Sequence, residues 1–461
     1  MRVAKFGGGC LRVPNDFINI ADIMKNGQPE STVIVVSAIY GVTDQLHNST
    51  KFALKSEDSI PLSITNLRTR HLDIIEQAIG NTSIQDRVKR SIEGRLKKLE
   101  RLLYGVAYIG EVTVSVWALI LSQGERLAVD ILAAVLNDQG LCAEGLESDV
   151  IGLITDCVFD NATVNIPMAK INLKKRILPL LDEDIIPVVT GFFGCNDSGQ
   201  PTSFGRNGSD YSAAVIAHCL NAPALDIWKD VNGFMTTDPK FAESAIPITH
   251  LSYDEAAELS YFGAKILHPR TVEPLRGSNI EIQIRNIRNP DGFCTTILPD
   301  GFAKEDVIKS VTCNSDISVL KVRGAGVGFK SGIIGEIGNR LSGIEINIYS
   351  VITSQTCINL IVDAKDAVKS KQILEPLVGG VIERIDVSNN VALIALVGEG
   401  VLTTKGLAAR VFSAVAEYGV NVEMFSAGAS DVAYNFIVQQ DDMNAAIQAV
   451  HRSFFEEQVS T

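Results

Sequence analysis

Apolar residues in this chain recur in two rhythms. Ser31–Ala38 (STVIVVSA) is a β-branched run with no polar face, as expected of an interior parallel strand. Ile185–Thr190 and Leu225–Lys229 read the same way, and Arg2–Phe6 alternates briefly before Gly7-Gly8-Gly9. Residues 50–115 are mostly helical in pattern. Within them Val88, Ile92, Leu96, Leu99, Leu102 and Leu103 repeat near helical spacing with charges between, which predicts an amphipathic helix over Arg87–Leu103. Ser122–Asn137 and the apolar run after Asp210 predict two more helices. Strand, glycine-rich turn and helix recur to about residue 300. The expected fold is α/β: an open, mostly parallel sheet with helices on both faces and ligands beyond the carboxyl ends of its strands.

The last third changes character. VRGAGVGFKSGIIGEIGNRLSGIEINI (322–348) aligns without a gap on LVGEGVLTTKGLAARVFSAVAEYGVNV (396–422). Gly324, Gly326, Gly332 and Asn347 fall on Gly398, Gly400, Gly406 and Asn421. Two similar α+β lobes are therefore expected. The first has strands near 317–323, 346–353, 356–362 and 380–387; the second has strands near 391–398, 420–427 and 431–438 and a last helix near 442–454. The second lobe lacks a fourth strand, and Val307–Thr312 is unassigned. A crossover of that segment would complete the second sheet; otherwise an edge stays exposed, which proteins tend to avoid. The expected division is 1–300, then 313–387, then 307–312 with 388–461.

Composition narrows the partners. Hydrophobic residues make up 46% and charged ones 21%, ordinary for a globular protein, and the net charge is −13. With KKR at 174–176 as the longest basic cluster, neither nucleic acid nor an anionic membrane is an expected partner. The N-terminus does not read as a signal peptide, and the apolar run near Val112–Leu121 is too short to span a bilayer. Eight scattered cysteines without a CxxC suggest reduced thiols in a cytoplasm.

The candidate chemistry lies in the turns after the strands. SFGRNGSD (203–210) sets Arg206, a compact turn, Ser209 and Asp210 at a helix start, where free N–H groups and partial positive charge favour anions. KFGGG (5–9) offers Lys5 and permissive backbone, although alone it could be only a turn; it is neither a P-loop nor GxGxxG. Ser37, Thr43 and Glu125 could be turn, cap and first-turn residues, yet they fall in loops on the same side of the expected sheet. Lys229, Asp230 and Lys265 are further ligand candidates. His268 reads as a packed loop residue.

Together KFGG (5–8), VSAIYGVT (36–43), GE (124–125), GFFG (191–194), GRNGSDYSAA (205–214), IWKDVNG (227–233), TTDP (236–239) and LSYDEAAELSYFGAKILHPRT (251–271) resemble the aspartate kinases of the amino acid kinase family. The resemblance spans the chain, and the paired C-terminal lobes look like ferredoxin-like ACT domains. It implies ATP-dependent phosphorylation of the L-aspartate side-chain carboxylate, with Mg²⁺ held mostly by ATP and water and no metal site built from the chain. It implies catalytic roles for Lys5, Arg206 and Asp210, and aspartate held by Ser37, Thr43, Glu125, Arg206 and Ser209. Lys5, Gly7, Gly8, Lys229, Asp230, Lys240 and Lys265 would meet the nucleotide.

It further implies an effector site near Gly328, Ser331, Asn347 and Ile348 for threonine or lysine, and a homodimer or higher homo-oligomer through the ACT lobes. Tyr349, where some lysine-inhibited relatives carry aspartate, leans toward threonine or another effector, although Glu345 could substitute for that aspartate. Because the chain ends after the second lobe, no homoserine dehydrogenase domain is expected. Departures from the family are also visible. KFGGTS reads KFGGG then Cys10, Ala128 replaces a serine, and Met235 stands where tyrosine is common. The first of these leaves open a kinase for another acidic amino acid, or an effector-binding homologue of low activity.

Overall fold

The computed structural model describes residues 1–461 except 28–30, 206, 265, 300–306 and 457–461. The chain divides into two compact units. The first comprises Met1–Phe234, Pro247–Ala257 and Lys265–Phe302; the second comprises Met235–Ile246, Glu258–Ala264 and Ala303–Thr461.

The strands of the first unit are β1 (Arg2–Phe6), β2 (Thr32–Val36), β3 (Ala143–Leu146), β4 (Ile186–Thr190), β5 (Phe193–Cys195), β6 (Pro201–Ser203), β7 (Ala224–Lys229), β8 (His250–Ser252), β9 (Glu281–Asn286) and β10 (Cys294–Leu298). Eight of them form one sheet in the order β3-β4-β2-β1-β7-β9-β10-β8, and β5 pairs with β6. Every pairing in the large sheet is parallel except β9 with β10. The largely apolar strands β1, β2, β4 and β7 sit at its centre, as interior parallel strands covered on both faces require. On one face Ala4, Phe6, Ile34 and Val36 join a core with the helices Pro14–Gly27, Ile60–Ala78, Thr82–Ile109 and Gln123–Asp138. The helix Gly208–Leu220 packs on β1, β2 and β7.

In the second unit the strands are β11 (Ser310–Asn314), β12 (Ile317–Arg323), β13 (Ser350–Thr353), β14 (Cys357–Asp363), β15 (Arg384–Ser388), β16 (Val391–Val397), β17 (Met424–Ser426) and β18 (Ala433–Gln439). They form two antiparallel sheets, β13-β14-β12-β15 and β11-β16-β18-β17. The two sheets are built alike. β15 borders β12 in one and β11 borders β16 in the other, so the strand beside the second repeat precedes the first in sequence. The glycines that open each repeat explain the close fit. A Cβ on Gly324 would lie 1.9 Å from the Val381 carbonyl oxygen, and one on Gly398 would lie 2.1 Å from that of Val307. Ile317, Val319 and Ile361 of one sheet and Val391, Leu393, Ala395 and Ile437 of the other share an apolar cluster with Phe262.

The expected strand starts near 346 and 420 are late. After the helix Ile333–Ser342, Glu345 turns through φ 60°, and pairing begins only at Ser350. Val311 is fully buried opposite Leu396. Val311→Asp should therefore strand a charge in the core and destabilise this sheet by roughly 3–5 kcal/mol. Hydrogen exchange should read it as lost amide protection across Val391–Val397.

Candidate active site

Strand alternation builds the centre of the site. In β1 and β7, Phe6 lies beside Trp228 and Lys5 beside Ile227. The Phe6 and Trp228 rings stack at 5.8 Å on one face of the sheet. Successive side chains point to opposite faces, so Lys5 and Lys229 both emerge on the other face from neighbouring strands. Asp210, in the first turn of the helix Gly208–Leu220, meets them both. Lys5 Nζ lies 2.5 Å from Asp210 Oδ1, and Lys229 Nζ lies 3.0 Å from Oδ2. The His268 backbone N–H donates to Oδ2 at 3.3 Å.

The cluster is dry at its centre: Lys5 is 3% exposed and Asp210 is 0% exposed. Burial pushes the Asp210 carboxyl up, but Lys229 and Lys5 together outweigh it and hold it well below the usual carboxylate range. Burial lowers the Lys5 ammonium, with Asp210 pulling against it and Lys229 adding to the fall. Asp210 therefore stays ionised, and any further negative charge nearby would favour the charged form of Lys5.

The neighbouring loops close around this cluster. Gly7–Cys10 makes one tight turn after β1, with the Cys10 N–H donating to the Gly7 carbonyl at 2.9 Å. A Cβ on Gly7 would sit 3.2 Å from Lys5 Nζ, so the bare backbone there is what lets it pass the ammonium. Ser37 follows β2 and donates its N–H to the Phe6 carbonyl at 3.1 Å. Thr43 stands in the first turn of the helix Val42–Ala53. Glu125 lies in the first turn of Gln123–Asp138, 3% exposed, with Oε1 accepting from the Ala38 N–H at 3.0 Å. Its Oε2 is buried with no hydrogen-bond partner, and burial raises the carboxyl to about 8. A buried acid with a vacant oxygen is a fitting acceptor for an ammonium group. Ser209 is buried beside Gly191, whose missing Cβ leaves room for it.

The candidates do not all fall together. Asp230 is half-exposed and pairs with Arg12 at 2.5 Å. Lys240 belongs to the second unit, where its Nζ pairs with Asp238 at 2.9 Å. Arg206 and Lys265 lie outside the described residues. Gly328, Ser331 and Asn347 are exposed on the first repeat; Ile348 is half-buried against its core. Tyr349 directs its hydroxyl to Asp363 at 3.3 Å. Cys10 is fully buried, and burial pushes its thiol up to about 12, so it behaves as a packing residue.

Three contributors carried no sequence signal of their own. His268 acts through its backbone N–H, which any residue could supply. Arg270 lies over the Tyr211 ring at 4.5 Å and bonds Asn161, the Ala162 carbonyl and Thr163, fastening a distant loop to the start of the 208–220 helix. Arg12 became meaningful only once the end of β7 was placed beside it. Among the described residues no group of three His, Cys, Asp or Glu side chains is set to hold a metal ion, and no helix is long and apolar enough to cross a membrane.

Comparisons with known proteins bear on the same residues. The family model of the amino acid kinase family matches residues 1–286, and that of an ACT domain matches residues 394–454. Aspartokinase 1, chloroplastic, of Arabidopsis thaliana is 30% identical over 463 residues, covering 98% of this chain and 80% of that protein. E. coli aspartokinase III in complex with aspartate and ADP (R-state) has a similar fold. Its TM-score is 0.86 at 24% identity, covering 99% of this chain and 100% of that one. The same E. coli protein in complex with lysine and aspartate (T-state) gives a TM-score of 0.79 at 25% identity, with 99% and 100% coverage.

Two measurements test the electrostatics. Asp210→Asn would leave Lys5 buried without its counter-charge, and unfolding in urea should show a loss of roughly 3–5 kcal/mol. The pH dependence has two limbs. Asp210, held low in the fold, contributes stability above its unfolded value of about 3.9 and loses it as pH falls. Glu125, held high, contributes stability fully present below about 4.3 in the unfolded reference. That contribution is lost as pH rises through about 8. Glu125→Gln should flatten the alkaline limb and leave the acid limb intact.

Proposed function

Because the chain belongs to the amino acid kinase family, we propose that it is an aspartate kinase, transferring the γ-phosphoryl group of ATP to the side-chain carboxylate of L-aspartate. The observation that carries the reading is the Lys5–Asp210–Lys229 cluster at the start of the 208–220 helix. An aspartate carboxylate oxygen bonds to the γ-phosphorus as the bond to the β,γ-bridging oxygen breaks. ADP departs and 4-phospho-L-aspartate remains. The attacking carboxylate is already ionised at neutral pH, so no general base is needed.

What the transfer needs is positioning and positive charge where negative charge gathers. Lys5, fixed by Asp210 with no freedom to swing away, faces the transferring phosphate. Gly7 and Gly8 supply backbone donors. Lys229, Asp230 and Lys265 line the nucleotide. Arg206 takes a carboxylate of aspartate with its planar fork, Glu125 takes the ammonium, and Ser37, Thr43 and Ser209 complete the substrate site. Mg²⁺ arriving with ATP would supply charge neutralisation at the phosphates. The described residues suit an ion that arrives with ATP and water, since Asp210 is already held by two lysines and Asp230 by Arg12.

The second unit suits regulation. Residues 1–300 would form the kinase domain, 313–387 the first ACT domain, and 307–312 with 388–461 the second. An amino acid, threonine or lysine, would bind near Gly328, Ser331, Asn347 and Ile348. Homodimers or higher homo-oligomers would form through these lobes. The enzyme would act in the cytoplasm at the start of lysine, threonine and methionine synthesis.

Trapping the acyl phosphate as its hydroxamate, with Mg²⁺, ATP and L-aspartate, tests the reaction. Arg206→Ala should lower kcat/KM for aspartate by roughly a hundredfold or more, as expected for losing a charge-paired contact. Turnover with glutamate but not aspartate would replace the substrate, and silence with both would remove the kinase reading.

A further inference from the structure

Arg12 follows the glycine turn and joins three loops. Its Nη2 donates to Asp230 Oδ2 at 2.5 Å, just beyond the end of β7. Its guanidinium carbon lies 4.4 Å from the centre of the Tyr40 ring, in the loop after β2. The Tyr40 N–H in turn donates to the Leu11 carbonyl at 3.1 Å, beside Arg12. These three segments follow β1 with Lys5, β2 and β7 with Lys229; the first holds Gly7 and Gly8, and the second runs from Ser37 to the helix that bears Thr43.

Gly9 makes this arrangement possible. A Cβ on Gly9 would lie 2.9 Å from Asp230 Oδ1 and 3.1 Å from its Cγ. The Asp230 carboxylate therefore fills the space that a side chain at residue 9 would take. A carboxylate next to Lys229 presents a problem for a site that receives a polyphosphate, because it repels the phosphates and competes for the lysine. Pairing with Arg12 neutralises Asp230 and turns it toward Gly9.

We propose that Arg12 is a positioning residue for the nucleoside triphosphate, and that Gly9, Arg12 and Asp230 work as one unit. The proposal rests on the kinase reading. The Arg12–Asp230 pair is partly exposed, with side chains 38% and 31% accessible. Such pairs contribute little to stability, so their loss should leave Tm nearly level and any effect should be read in ligand binding.

The test is a double-mutant cycle on the full chain. It is read by calorimetric titration with Mg-ATP alone, by KM for ATP and kcat in the hydroxamate assay, and by Tm. Gly9 is not in a left-handed conformation, so Gly9→Ala brings no backbone strain and leaves Tm level or higher. We expect it to raise Kd and KM for ATP by about tenfold, with kcat within about threefold, because it evicts the Asp230 carboxylate. Arg12→Ala should act similarly. In the double variant the carboxylate is already released, so the combined loss should fall at least about fivefold short of the product of the singles. Arg12→Lys, which keeps the charge but not the fork or the ring contact, should recover part of the affinity.

Single effects that multiply, a Gly9→Ala that binds ATP normally, or losses that track Tm across the variants would each overturn the proposal. The kinase reading fails separately: wild-type protein that makes no acyl phosphate would sink it, while calorimetry would still report whether residues 9, 12 and 230 are coupled.

Discussion

Two lysines on adjacent strands cannot share a dry face of a sheet unless something carries the opposite charge between them. Asp210 does so, and much of the first unit is arranged to keep it there. The register of β1 against β7 brings Lys5 and Lys229 to one face. The tight turn before Gly208 starts the helix where the carboxylate falls between their ammonium groups. A Cβ on Gly208 would lie 2.7 Å from Phe204 Cβ, and one on Gly191 would lie 2.7 Å from Ser209 Cβ, so both glycines let the helix start close to the strand ends. His268 adds a neutral donor from a remote part of the chain. The result is a cation locked in place before any ligand arrives. For a reaction whose transition state gathers charge, that preorganisation avoids rearranging the site during the transfer.

The glycine turn shows a second constraint of the same kind. Charge near a phosphate site must be assigned, and a carboxylate beside Lys229 is an awkward neighbour. In this chain Arg12 and the bare backbone at Gly9 take up that carboxylate together. The departure from KFGGTS thus comes with its own packing: the recess at residue 9 holds Asp230.

The interior of the sheet was legible because β2 and β4 are almost wholly apolar and β7 is mainly so, and the long 82–109 helix because its apolar stripe repeats over many turns. The short edge strand β3 was not, since AEGL has neither alternation nor β-branched residues. Lys5, Asp210 and Lys229 could be singled out from strand-end and helix-start chemistry, and the structure brings those three into contact. Arg12, Arg270 and the His268 N–H could not. Their roles depend on which loops meet, and nothing local in the sequence records a meeting across the whole unit. Lys240 illustrates the converse: TTDPK lies soon after β7 in sequence, yet it folds with the second unit. Residues 346–349 fall within the expected strand near 346–353, but a backbone turn at Glu345 delays the pairing.

The internal repeat is legible in its glycines, and the missing fourth strand of the second lobe points to the segment before the first. In the structure β11 pairs with β16, and the whole of the first repeat is threaded between those two partners. That order has a consequence during synthesis. β11 leaves the ribosome long before the strand it pairs with. The first repeat can close its own four strands while β11 still waits with an open edge. The second sheet can close only when Val391–Val397 arrives, by which time every strand of the first repeat has already been made.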